Sequence, residues 1–281
     1  MFANFVLVFR EVLEAALIVS IVAAATRGVT RRGAWIGAGI GLGILGAIVV
    51  AAFAGAIANS LSGTGQEWFN AGVLLAAVVM IGWHVVWMAR HSRDLSRHMR
   101  AVGNEVSSGN RPMTALLVVV AIAVLREGSE VVLFGYGLVA GGSSFGALAI
   151  GGLLGVVAGI VLGFGLYFGL LKIPVRHFFS ATNLLLVLLA AGLASSAAGK
   201  LVEADVVPTL VDRLWDTSWL LGDSSWMGQT LHILVGYTAE PSGIQLVFYV
   251  ATLALLVIGM RLSRPPGAPA AIAAPAPGAT A

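Results

Sequence analysis

Seven stretches of about 20 or more mainly apolar residues restrict this chain more than any other feature of it. A helix that crosses a bilayer needs about 20 such residues, because the hydrocarbon core is roughly 30 Å thick and each residue rises 1.5 Å. The stretches fall at about 3–25, 34–59, 69–89, 113–140, 146–171, 181–200 and 243–261. Membrane barrels read as alternating segments of about ten residues, and no alternation of that kind is present in the sequence. Only 10% of the residues are charged, against roughly a quarter in a soluble domain, and the mean hydropathy is +0.95. The expected fold is therefore an all-α polytopic membrane protein with seven transmembrane helices. The first stretch reads as a span rather than a cleavable signal peptide, because it lacks a basic leader and is interrupted by Arg10 and Glu11.

Orientation follows from the basic residues, which concentrate on the cytoplasmic side. Arg27, Arg31 and Arg32 follow the first span; Arg90, Arg93, Arg97, Arg100 and Arg111 follow the third. Lys172 and Arg176 follow the fifth, and Arg261 and Arg264 follow the seventh. The alternate loops hold only Lys200 and Arg213. That partition places the N-terminus outside and the C-terminus in the cytoplasm; the expected location is a bacterial inner membrane. The basic residues sit in short loops beside apolar segments, so the pI near 9.7 points to the lipid bilayer as partner and not to nucleic acid. Residues 263–281 are rich in Pro and Ala and read as a disordered cytoplasmic tail.

Charges inside spans are functional suspects, since each costs at least ~2.5–3.5 kcal/mol at mid-membrane on insertion scales. The first span holds Arg10, Glu11 and Glu14, and the fourth holds Arg126, Glu127 and Glu130. Both read R-E-x-x-E, and at about 100° per residue the three charges share an arc of about 100° on one helix face. Pairing each arginine with the glutamate four residues on would make a structural staple. That leaves Glu11 and Glu127 over, and a cation that arrives and leaves explains the surplus better. Oxygen donors suit iron, manganese or magnesium, and the sequence contains no cysteine for softer ions.

The two motifs lie 116 residues apart. The same offset carries Gly39, Gly43 and Ala47 of the second span onto Gly155, Gly159 and Gly163 of the fifth. Such small-residue faces allow close helix approach. A duplicated three-helix unit is implied, with repeat 1 at about 3–89 and repeat 2 at about 113–200. Three spans per unit make the second copy inverted, as in carriers whose site lies at the repeat interface. An external loop at 201–242 and a last helix at 243–261 stand outside the duplication.

Paired R-E-x-x-E motifs in the first and fourth of seven spans resemble the oxidase-dependent iron permease family of bacteria and fungi. The stretch Gly236-Tyr237-Thr238-Ala239-Glu240-Pro241-Ser242 is similar to that family's G-Y-x-x-x-P-S segment. The resemblance covers residues 1–262 and implies a high-affinity permease that imports iron ions. It implies that Glu11, Glu14, Glu127 and Glu130 bind the ion in passage, with Arg10 and Arg126 as supporting charge. It also implies an external oxidase, peroxidase or iron-binding partner protein, and no permanently bound cofactor, iron being the substrate as Fe²⁺ or Fe³⁺. Ser129, inside the second motif, offers either an added ligand or a small contact.

Other candidates carry less. His84, with Met80 and Met88 one turn away, reads more readily as core packing than as a metal ligand. Trp83 and Trp87 read as an aromatic belt, and Thr182 and Asn183 as capping or interhelical hydrogen-bonding groups. In the external loop, Asp212 and Asp216 are one turn apart, as are Trp215 and Trp219, which suggests a short interfacial helix. Together with Asp205 and Asp223 these acids either attract cations to a pore mouth or are ordinary solvated loop acids. The alternatives to iron transport are a carrier of another cation, such as lead or manganese, and a membrane-embedded enzyme. Gly128-Ser129 lacks a recognisable histidine base for the latter. A retinal receptor would need a lysine in the last span, which has none. No nucleotide-binding loop is present in the sequence.

Overall fold

The computed structural model describes residues 1–60, 66–168, 175–223 and 225–263. All regular structure among the described residues is helical: α1 (Phe2–Ala25), α2 (Arg32–Ser60), α3 (Gln66–Ser107), α4 (Thr114–Ala140), α5 (Phe145–Tyr167), α6 (Val175–Glu203), α7 (Trp226–Val235) and α8 (Gly243–Ser263). Five segments are long and apolar enough to cross a membrane: Arg32–Ile57, Glu67–Met88, Phe145–Tyr167, Phe179–Glu203 and Gly243–Ser263. The helices α1 and α4 are 24 and 27 residues long and carry the two R-E-x-x-E motifs. The Pro/Ala-rich tail expected from residue 264 onward lies outside the described residues.

Leu7 and Val8 of α1, Ile81 and Val85 of α3, Phe134 and Leu138 of α4 and Leu186 and Ala190 of α6 form one buried apolar cluster. These four helices make the centre, and α8 packs against α3 and α6. By contrast α2 and α5 lie outside, with Phe53 69% and Leu153 67% exposed. Apolar faces that open are stable against lipid tails, which are as apolar as leucine.

Small residues set how the outer helices attach. A Cβ on Gly43 would fall 2.8 Å from the backbone oxygen of Ala121, and one on Gly155 would fall 2.8 Å from Phe5 O and Phe9 N. Hence α2 lies directly on α4, and α5 directly on α1. The Asn4 side-chain amide donates to Leu148 O at 2.5 Å across the second contact.

Two sequence expectations need correction. The basic stretch after the third span is not a loop, because α3 continues through it to Ser107 for 42 residues in all. Met99 and Val106 bury against Ile18, Val22 and Leu116, so an amphipathic face extends the helix beyond the apolar run. No interfacial helix forms at 212–219 either. Leu214 N donates to Pro241 O and Thr217 N to Ala239 O, each at 3.0 Å. Those amides pair with the 239–241 segment and are lost to a local helix. The short helix of this loop is instead α7, which starts at Ser225, whose side chain accepts from Gly228 N, and ends at Gly236 with φ +71°. A Cβ on Gly236 would fall on the Gly192 backbone of α6, which ties the G-Y-x-x-x-P-S segment to the bundle.

Candidate metal centre

The interior of the bundle contains the charges and its lipid-facing surface is apolar. Arg10, Glu11 and Glu14 of α1 are buried, their residues 2%, 0% and 4% exposed. Glu127 is buried too, and Glu130 is 14% exposed at its side chain. The α1 and α4 helices pack against each other and both against α3, so the two motifs meet.

Within each helix the arginine pairs most closely with the glutamate four residues on. Arg10 Nε lies 2.9 Å from Glu14 Oε1 and Arg126 Nε 3.2 Å from Glu130 Oε1. The adjacent glutamates are held less firmly: Arg10 Nη1 to Glu11 Oε1 is 3.8 Å, and Arg126 Nε to Glu127 Oε1 is 3.9 Å. Both carboxylate oxygens of Glu11 and both of Glu127 are buried without a hydrogen-bond partner. A buried carboxylate in that state is strongly disfavoured unless a counter-charge joins it. Four carboxylates against two guanidiniums leave a formal charge of −2, the amount a divalent cation neutralises.

Two trios could hold such an ion: Glu11 with Glu14 and His84, and Glu11 with Glu127 and Glu130. In each, one donor atom per residue lies within 4.8 Å of the others. Glu11 belongs to both. A cavity of about 730 Å³ opens between the α1–α5 and α2–α4 pairs, and Glu11 and Glu127 are the charged residues in its mainly apolar wall, which also includes Ser20 and Tyr167.

His84, which the sequence reads as core packing, is packed among these charges. It reaches the centre from α3 and is buried. Its Nδ1 faces Glu130 Oε2 and its Nε2 contacts Arg10 Nη2, with Glu14 Oε1 at 3.9 Å. The sequence signal for it is an ionisable group within an apolar helix. Trp87 is likewise no simple belt residue, since the Arg126 guanidinium carbon sits 4.2 Å above its ring. Ser129 is not aimed at the centre; its hydroxyl donates to Leu125 O at 2.6 Å. Thr182 donates to Phe179 O and the Asn183 amide contacts Met260 Sδ, so Asn183 links helices and neither caps one.

The acids of the 201–242 segment are engaged locally. Asp212 accepts from the Thr209 hydroxyl at 2.6 Å, and Asp223 from Ala239 N at 2.9 Å. Asp216 accepts from Ser218 N and its hydroxyl, which hold its carboxyl below the usual aspartate range. Asp205 adopts φ +55° at the turn after α6. Among the described residues these acids form no metal-sized trio.

Apolar outer helices around buried carboxylates define a polytopic membrane protein with a charged interior. The chain belongs to the iron permease FTR1 family, whose pattern matches residues 1–263. It is 34% identical over 264 residues to the ferrous iron permease EfeU of Yersinia pestis, covering 92% of this chain and 93% of that one. The permease of the same name from Yersinia pseudotuberculosis serotype I is 34% identical, over 92% of this chain and 91% of its own. That of Escherichia coli O6:K15:H31 is 34% identical over 86% and 88%. No solved structure matches the chain. These relatives are permeases and not enzymes, which sets aside the membrane-enzyme alternative. The chain is a multi-pass membrane protein of iron transport.

Proposed function

We propose that this chain imports iron across the bacterial cytoplasmic membrane, and that the ion passes through the centre formed by Glu11, Glu14, Glu127 and Glu130. The observation that carries the reading is the pair of buried carboxylates without hydrogen bonds, Glu11 and Glu127, in a cluster with formal charge −2. Arg10 and Arg126 each offset one glutamate, so the cluster is stable enough to wait for its ion. The cargo is ferrous iron: a divalent ion matches the charge, and the relatives are named ferrous permeases. An iron-handling oxidase, peroxidase or binding protein outside the membrane is the expected partner.

Seven spans, α1 to α6 and α8, suit this role, with the N-terminus outside and the tail in the cytoplasm. The units α1–α3 and α4–α6 form an inverted repeat. Reciprocal packing supports it: α2 of the first unit lies on α4, α5 of the second lies on α1, and the third helices α3 and α6 meet. The ion site then lies at the repeat interface, where inverted-repeat carriers place theirs. Asp205, Asp212, Asp216 and Asp223 raise the local cation concentration at the outer mouth.

Uptake into liposomes containing purified protein, with Fe²⁺, Mn²⁺, Zn²⁺ and Pb²⁺ compared under reducing conditions, tests the reading. Fe²⁺ should enter fastest, and Glu127→Gln should abolish its entry while leaving the amount of reconstituted protein unchanged. Preferred entry of another metal would reassign the cargo, and normal Fe²⁺ entry through Glu127→Gln would remove the site.

A further inference from the structure

We propose that His84 is the ligand that sets metal preference: it makes the centre two overlapping three-ligand positions that share Glu11, one of oxygen donors alone and one with a nitrogen. The inference rests on the carboxylate centre proposed above and adds to it a nitrogen donor that the R-E-x-x-E motifs do not contain.

The tautomer follows from the neighbours. Arg10 can only donate, and its Nη2 contacts His84 Nε2. Nε2 must therefore accept, and the ring proton sits on Nδ1. There it faces Glu130 Oε2, an acceptor. Metal-bound histidines show this same arrangement, in which one nitrogen donates to a carboxylate while the other offers its lone pair to the ion. The Phe134 ring meets the imidazole edge to face, with centroids 6.3 Å apart, and fixes its plane. The lone pair of Nε2 is thus aimed at the α1 charges, and the atom against it is a cationic guanidinium. An arriving metal ion takes the place of Arg10 Nη2, and Arg10 keeps its pair with Glu14 through Nε, 2.9 Å away.

Glu130 then has two roles. With Glu11 and Glu127 it belongs to the all-oxygen trio. When the ion moves to Glu11, Glu14 and His84, Glu130 supports the imidazole through Oε2 and meets Arg126 through Oε1 at 3.2 Å. Glu11 belongs to both trios and never lets go, so the ion passes between helices without returning to water. Carboxylates alone suit magnesium and manganese as well as iron, whereas imidazole favours iron and the later metals, iron binding ahead of manganese in the usual order. The nitrogen position is where preference for Fe²⁺ over Mn²⁺ arises.

His84→Gln keeps a neutral polar side chain and removes the aromatic nitrogen. In liposomes the ratio of Fe²⁺ to Mn²⁺ uptake should fall about tenfold, the lower end of what support of a metal ligand is worth. An unchanged ratio would overturn the inference. X-ray absorption at the iron edge of the unmodified chain loaded with one equivalent of Fe²⁺ needs no variant. The outer-shell scattering of an imidazole is expected, and a shell of oxygen alone overturns the assignment even if His84→Gln fails to fold. Glu11→Gln separates the two proposals. If it stops uptake while His84→Gln keeps the wild-type ratio, only the role of His84 fails. If Glu11→Gln transports normally, the carboxylate centre itself fails.

Discussion

Replacing Glu11 by Gln separates a transport site from a structural staple, and the geometry gives the size of both effects. Glu11 Oε1 lies 3.8 Å from Arg10 Nη1; with an effective dielectric of about 20, that attraction is ~4 kcal/mol. Removing the charge forfeits this amount but also removes the burial penalty of an ion, which is itself several kcal/mol. The isosteric amide leaves no cavity, so folding stability should change by only about 1–2 kcal/mol in either direction. The ion experiences a different balance. A divalent cation at a comparable separation loses twice the attraction, about 9 kcal/mol gross. If a quarter of that survives competition with hydration, affinity falls about fortyfold at 1.4 kcal/mol per decade. Thermal unfolding of purified protein should therefore be near wild type, while Fe²⁺ uptake into liposomes at limiting concentration is nearly lost. A staple would behave in the opposite sense. Wild-type uptake by Glu11→Gln, or a large loss of stability with transport intact, would refute the reasoning.

Arg10→Gln should destabilise the fold by ~3–5 kcal/mol, because it strands Glu14 in the interior, as measured by denaturation in detergent. Arg126→Gln should cost less, since that side chain is 31% exposed and part of its hold is the stacking on Trp87. Reporters fused after Arg32 and Arg264 should read as cytoplasmic and one at Thr217 as external; a cytoplasmic signal at Thr217 would break the inverted repeat. Neutralising Asp212 and Asp216 together should raise the apparent KM for iron at low ionic strength, an effect that fades near 0.15 M salt, where screening acts over about 8 Å. Hydrogen bonds from Ser218 lower the Asp216 carboxyl below its ordinary 3.8, so its charge is fully present above that value and is lost only at lower pH. The KM difference between wild type and an Asp216→Asn variant should accordingly stay constant from pH 7 to about 5.

The long apolar helices were legible because bilayer thickness turns hydropathy into length, and among the described residues five segments have both the length and the composition to cross a membrane. The R-E-x-x-E faces were legible because charges stand out in apolar helices and their spacing puts them on one side of each. The gathering of Glu11, Glu14, Glu127 and Glu130 in one centre follows from that logic. What was hidden depends on contacts between segments distant in the chain. His84 has meaning only once α3 lies beside α1 and α4, since its partners Arg10 and Glu130 are 74 and 46 residues away in sequence. The continuation of α3 past residue 89 depends on Met99 and Val106 meeting Val22 and Leu116. The irregular course of 212–219 depends on backbone bonds to Ala239 and Pro241, and no local periodicity reports such bonds. Glycine spacing was more informative: Gly43 and Gly155 do admit neighbouring backbones, as a small-residue face implies.

The central claim is that iron is held between α1 and α4 by the motif carboxylates, and anomalous scattering at the iron absorption edge tests it most directly. Crystals of the protein grown anaerobically with Fe²⁺ should show an iron peak within ligand distance of Glu11, at one or both of the two trios that share it. That peak should vanish in Glu11→Gln crystals grown the same way. Iron found only among the external acids around Asp212 and Asp216, with none beside Glu11 in a protein that still transports it, would contradict the claim.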